Sequence, residues 1–138
     1  MKTAVYQRQV YYYETDRMDC VHHSNYIRWF EEARIHFMRV WGFSYEELEA
    51  GGIVSPVLRA EAEYKTMTRF GDTVLIEAGV ESYTGTRIAF CYTVRDKATG
   101  EVRCQGKTSH CFLKESRPVS LKKANPAYDG AVRRVMED

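Results

Sequence analysis

The sequence predicts an α+β domain in which a five-stranded antiparallel sheet is wrapped around one long helix. Three observations carry this. A tyrosine- and valine-rich run at residues 5–13 is followed by one long helical pattern at 25–41, and from residue 57 onward the pattern changes to two-residue alternation broken by turns. The apolar band of the helix is also wide, with Trp29 and Trp41 adding area outside the narrow stripe, so a curled sheet covers it better than a flat one.

The elements follow in order. Val5, Val10 and Tyr11 to Tyr13 favour a first strand over 5–13, which the polar segment 14–24 interrupts. From Asn25 to Trp41, the residues Tyr26, Ile27, Phe30, Ala33, Phe37, Met38 and Trp41 recur at helical spacing, while Arg28, Glu31, Glu32 and Arg39 take the other faces. That helix is about 25 Å long at 1.5 Å per residue. Gly42 is expected to end it in a left-handed cap, and Ser44-Tyr45-Glu46-Glu47 reads as a capping box opening a short helix that stops at Gly51-Gly52. A strand at 57–66 alternates Leu58, Ala60, Ala62 and Tyr64 against charged residues; Arg69-Phe70-Gly71-Asp72 is a turn, and 73–83 resumes. Gly85 marks a hairpin, 87–95 places Ile88, Phe90, Tyr92 and Val94 on one face, residues 96–100 turn, and 101–114 is the last long strand. Asn125-Pro126 caps a terminal helix.

Composition bounds the function. The 138 residues suit one domain, 1–138, and the net charge of +1 gives no bulk reason to expect nucleic acid or an anionic membrane as partner. No apolar run is long enough to span a bilayer, and the first residues turn polar too soon for a secretory signal, so a cytoplasmic location is expected. Cys20, Cys91, Cys104 and Cys111 show no CxxC spacing and read as free thiols.

The most informative residue is Asp16, a carboxylate between the first strand and the long helix. A helix start carries unpaired N–H groups and partial positive charge, so an acid just upstream can face a substrate whose oxygen those groups bind. The adjacent His22 and His23 offer no i,i+4 pair and no third ligand, so no metal is expected. Asn25 reads as a residue that positions the Asp16 loop or caps the helix, and Tyr26 as packing. Glu31 and Glu32 lie two turns into the helix and read as solvated or ion-paired.

The run Tyr13-Glu14-Thr15-Asp16, the seven residues from Asp16 to His23, and His23-Ser24-Asn25-Tyr26 followed by Phe30-Glu31-Glu32-Ala33-Arg34 resemble the hot-dog-fold acyl-CoA thioesterases, in particular the 4-hydroxybenzoyl-CoA thioesterase and YbgC-like branch. Arg69-Phe70-Gly71-Asp72 is similar to a turn of that family. The resemblance implies a hot-dog fold and hydrolysis of an acyl-CoA thioester to free acid and CoA. Asp16 would be nucleophile or general base, and the backbone N–H near His23 would polarise the carbonyl. Coenzyme A would be part of the substrate, with no separate cofactor, and Asn25 and Tyr26 would contact or position the substrate. CoA phosphates need cations, for which Arg87 and Lys107 are candidates. The family also implies a homodimer, or a homotetramer built from two dimers, with pockets at the subunit interface. Members often carry a glycine within three positions of the aspartate; here Arg17-Met18-Asp19 has none. The alternatives are a thioesterase acting on acyl carrier protein and a non-catalytic acyl-CoA or lipid-binding protein of the same fold.

Overall fold

The computed structural model describes residues 1–137; residue 138 of the expected domain lies outside the described residues. Strand β1 (Thr3–Gln9) leads through a single 3-10 turn (Tyr12–Glu14) to helix α1 (Ser24–Val40), one residue from the helix read in the sequence. Helix α2 (Tyr45–Ala50) follows, opened by Ser44, whose Oγ accepts from the Glu47 N–H. The main strands are β3 (Val57–Tyr64), β4 (Thr73–Tyr83), β5 (Arg87–Asp96) and β6 (Val102–Cys111), after a short β2 (Ile53–Val54). They form one antiparallel five-stranded sheet in the order β1-β4-β5-β6-β3, so β1 and β3 are its edges. The fold is a hot-dog: α1 is the cylinder the sheet encloses. Gly42 and Gly85 take the left-handed conformations their positions require, with φ of 81° and 93°.

The core follows from the patterns. Trp29, Phe30 and Phe37 of α1 are fully buried against Val74, Ile76 and Ala78 of β4 and Phe90, Tyr92 and Val94 of β5. Phe30 stacks on Tyr92 with ring centroids 4.5 Å apart, and a Cβ on Gly106 would lie 2.3 Å from the same Phe30 ring. Only glycine lets the helix come this close to β6. Burying each large side chain contributes about 1.5–3 kcal/mol.

Two expectations need correction. The first strand stops at Gln9, and Tyr11, Tyr12 and Tyr13 are exposed. The chain turns there because Glu14, not a tyrosine, is drawn inside. The expected last strand also breaks after Cys111, and the residues beyond form β7 (Leu113–Lys114) and β8 (Arg117–Pro118), which pair with β2 in a small second sheet. Positive φ at Glu115 and Ser116 makes the tight β7–β8 turn. Helix α3 (Leu121–Ala124) precedes the terminal helix α4 (Pro126–Met136), where Asn125 caps the Tyr128 N–H at 3.1 Å as expected. No described helix is long and apolar enough to cross a membrane.

Candidate active site

The segment between β1 and α1 is held by a buried carboxylate. Glu14 is 2% exposed; its side chain accepts from the Tyr11 N–H at 2.8 Å, from Trp29 Nε1 at 2.9 Å and from Arg8. Arg8 also donates to Glu32, which takes a further bond from the Tyr6 hydroxyl at 2.9 Å. Burial opposes the charge on Arg8, but its hydrogen bonds to Glu32 and Glu14 outweigh that and raise its pKa. The Glu14 carbonyl meanwhile accepts from the His22 N–H at 2.8 Å and from Asn25 Nδ2 at 2.9 Å. Both ends of the loop are thereby tied to one residue.

Within that frame the 16–20 turn is tight. The Asp16 N–H donates to the Cys20 carbonyl at 2.9 Å, and Asp16 Oδ1 accepts from the Met18 N–H at 2.8 Å and from Cys20 Sγ at 3.7 Å. Oδ2 makes no hydrogen bond within the described residues. Burial first, and then Asp16, push the Cys20 thiol pKa up, so this cysteine is a proton-bearing neighbour of the carboxylate rather than a nucleophile. Asp19, with φ of 59°, occupies the left-handed position that a glycine would take without strain, and its side chain is exposed. Arg69 Nη1 donates to the Asp19 carbonyl at 3.2 Å, and the Val21 N–H donates to the Thr68 carbonyl at 2.7 Å, which anchors the turn to the 66–72 segment.

Asp16, His23 and Tyr26 line one cleft of about 350 Å³, together with Met18, Cys20, Val21 and residues 64–67. His23 immediately precedes α1, and among the described residues its N–H has no protein acceptor. Its ring lies exposed, 4.0 Å from that of His22, and its carbonyl accepts from the Tyr64 hydroxyl at 3.1 Å. Tyr26 is a wall of the cleft: its hydroxyl meets Thr68 Oγ1 at 3.0 Å, and burial raises its pKa. Asn25 lies beneath the cleft and holds the loop through Glu14 and His22.

The two cations proposed for phosphate do not reach this cleft in the same chain. Lys107 alternates with Gly106 and Thr108, which face α1, so its side chain projects from the opposite sheet face and pairs there with Glu81 at 2.7 Å. Arg87 opens β5 at the far end of the sheet and lines a separate cavity with Thr86, Cys111 and Ser120. Lys65, which does line the cleft, was missed, as was Glu14. An acid directly after three tyrosines was a usable signal for Glu14, because an acid so placed needs either water or a buried cation. Glu31 is exposed, and Glu32 pairs with Arg8 rather than with a helix neighbour. Among the described residues no three His, Cys, Asp or Glu side chains converge as a metal site, and all four cysteines are free.

Comparison with known proteins gives the chain its family. The model of the thioesterase-like superfamily matches residues 10–127. A Bacillus subtilis (strain 168) protein named "Putative acyl-CoA thioesterase YneP" is 34% identical over 125 residues, 89% of this chain and 90% of that protein. The YbgC acyl-CoA thioester hydrolase of Escherichia coli O157:H7 is 32% identical over 82 residues, 59% of this chain and 61% of that protein. Among solved structures, the DHNA-CoA thioesterase of Staphylococcus aureus superposes with a TM-score of 0.94 at 30% identity, covering 99% of this chain and 92% of that one. Sequence and fold agree over nearly the whole length, and the chain belongs to the thioesterase-like superfamily.

Proposed function

We propose that the protein hydrolyses an acyl-CoA thioester to the free acid and CoA, with Asp16 as the reacting carboxylate. One observation carries the reading: the free Oδ2 of Asp16 and the acceptor-less N–H of His23 belong to one cleft at the start of α1. The thioester oxygen takes the His23 N–H, where the helix start favours developing negative charge. Oδ2 then either adds to the carbonyl carbon, or removes a proton from a water that does so. In the first route the C–S bond breaks to give a mixed anhydride and CoA thiolate, and water later cleaves the anhydride. In the second, water adds directly and the same C–S bond breaks to give acid and thiolate. Glu14 and Asn25 position the loop, and Tyr26 shapes the pocket. The names of the relatives support an acyl-CoA substrate.

The active form in this reading is at least a homodimer. Edge strand β3 is exposed along almost its whole length and is paired only with β6, leaving one row of backbone groups open to a second copy. Arg87 lies at the Val57 end of the sheet, since Val57 pairs with His110 and Arg87 with the adjacent Cys111. A partner brought against β3 would present that end to the cleft, but Arg87 alternates with buried Ile88 and, like Lys107, points away from the face that α1 covers.

Thiol release from short, medium, long and aromatic acyl-CoAs tests this. Asp16→Asn should lose on the order of 10³-fold or more in kcat on the best substrate while keeping the wild-type melting temperature. A folded Asp16→Asn variant with wild-type turnover, or no turnover of any acyl-CoA, would refute the assignment and turn attention to acyl carrier protein substrates.

A further inference from the structure

A second cleft, of about 420 Å³, lies at the other end of β3, lined by Arg34, Ile35, Tyr45, Ser55, Pro56 and Val57 with charged residues at its mouth. Arg34 is 93% buried, with 7% of its surface exposed. Its one hydrogen bond is from Nη1 to the Tyr92 hydroxyl, at 3.0 Å. That hydroxyl shares a 2.5 Å bond with Thr108 Oγ1, which in turn lies 2.9 Å from His110 Nε2. All of these partners are neutral or weakly polar, and among the described residues no carboxylate pairs with Arg34. Glu31, Glu46 and Glu49 stand exposed at the mouth, where water screens them, and Glu46 is taken by Arg39. A guanidinium with five donors thus has one bond within the chain, to a phenol, and its unbonded nitrogens keep contact with solvent in the cleft.

Helix α1 runs antiparallel to β3. His23 meets the Tyr64 end, Phe30 crosses at Glu61, and Arg34 shares its cleft with Val57 at the beginning. The Asp16 cleft and the Arg34 cleft thus lie at opposite ends of the same edge strand, both on the face that α1 covers. Pairing two β3 edges antiparallel requires a twofold axis perpendicular to the sheet, which keeps both helices on one side and sets the Tyr64 end of one protomer beside the Val57 end of the other. The Asp16 cleft of each protomer then opens onto the Arg34 cleft of its partner.

We infer that Arg34 anchors the distal carboxylate of an ω-carboxylated acyl group whose thioester lies at Asp16 of the partner protomer. This rests on the hydrolase reading and names its substrate class. A planar carboxylate supplies the bidentate, charged acceptor that the guanidinium lacks. A methyl-ended acyl chain would leave the cation unpaired, so the same residue selects against it.

Kinetics on succinyl-, glutaryl- and adipyl-CoA, against methyl-ended chains of the same lengths, test the anchor. At the best length the carboxylated chain should have a kcat/KM at least about tenfold higher, and Arg34→Met should cut it on the order of 10²-fold while raising that of the methyl-ended chain. Arg34→Lys should keep part of the preference. Equal or better turnover of the methyl-ended chain at every length by the wild type would overturn the anchor, as would equal losses on both chain ends in both variants. If no acyl-CoA is turned over, the hydrolase reading fails separately, and calorimetric binding of both chain ends to Asp16→Asn, with and without Arg34→Met, still decides: equal affinities overturn the anchor. Co-refolding Asp16→Asn with Arg34→Met tests the geometry. Acting across the interface, each mixed dimer holds one intact site, and activity on the carboxylated substrate should recover to roughly a quarter of wild type for random pairing. Absence of recovery, with mixed dimers confirmed by mass, would overturn the cross-protomer placement.

Discussion

Two arginine side chains are largely covered by the fold, and they differ in what meets them. The Arg8 side chain is 9% exposed and lies between Glu14 and Glu32, above the faces of Tyr11 and Trp29. Arg34 is buried to a similar degree, yet its single bond is to a phenol. The first site is complete within the chain; at the second, the unbonded guanidinium nitrogens face the cleft and meet no acceptor in the chain. One arginine holds the backbone that carries Asp16; the other holds nothing in the chain that requires a cation. The difference separates a structural charge from one kept for something else.

The largest effect should come from breaking the paired site. Glu14→Ala leaves the Tyr11 N–H and the Trp29 N–H without an acceptor and Arg8 with Glu32 as its one carboxylate, and should destabilise the fold by about 3–5 kcal/mol, measured by urea denaturation. It should also lower kcat by roughly 10²-fold, because the loop carrying Asp16 loses its peg. A loss below about 1 kcal/mol would show that Arg8 and Glu14 are not a working pair.

Next is the pH response of the unpaired site. Burial, and then the Arg34 charge, lower the pKa of His110 to about 4 from an ordinary value of 6.5. The unfolded chain then binds the proton more readily than the folded one. The stabilising contribution of neutral His110 is complete above pH 6.5 and is lost as pH falls toward 4, by roughly 3 kcal/mol at most. His110→Gln should flatten that part of the stability profile, and Arg34→Met should shallow it by removing the repulsion. An unchanged slope in both variants would remove His110 from the account.

A smaller effect sharpens the contrast directly. Arg34→Met replaces an unpaired buried cation by an apolar side chain and should leave the melting midpoint unchanged or raise stability by up to about 2 kcal/mol. Destabilisation as large as that of Glu14→Ala would mean that Arg34, like Arg8, is a structural charge. Smallest of all, Asp19→Gly relieves the left-handed backbone in the active-site turn and should stabilise by about 0.5–1 kcal/mol, read as a small rise in midpoint with kcat retained. A loss of stability would mean that the Asp19 side chain contributes more than its backbone strain costs.

The sequence by itself determined α1, α2, the hairpin at Gly85 and the four long strands of the meander, because helical spacing, two-residue alternation and the needs of caps and turns are local. It also singled out Asp16, since an acid just upstream of a helix start is visible along the chain. Tertiary structure alone decided which charges go inside. The tyrosines after Gln9 leave the strand because Glu14 finds Arg8 on β1 and the Trp29 N–H one helix turn past Asn25, partners that no local pattern joins. Lys107 on β6 and Lys65 just past the end of β3 carry the same charge, but the pleat puts Lys107 behind the sheet, while the chain leaving β3 brings Lys65 to the cleft. The isolation of Arg34 was equally hidden. Burial of a cation is set by how α1, β2 and β5 pack together, and the absence of its partner is a property of the space around it rather than of the chain beside it.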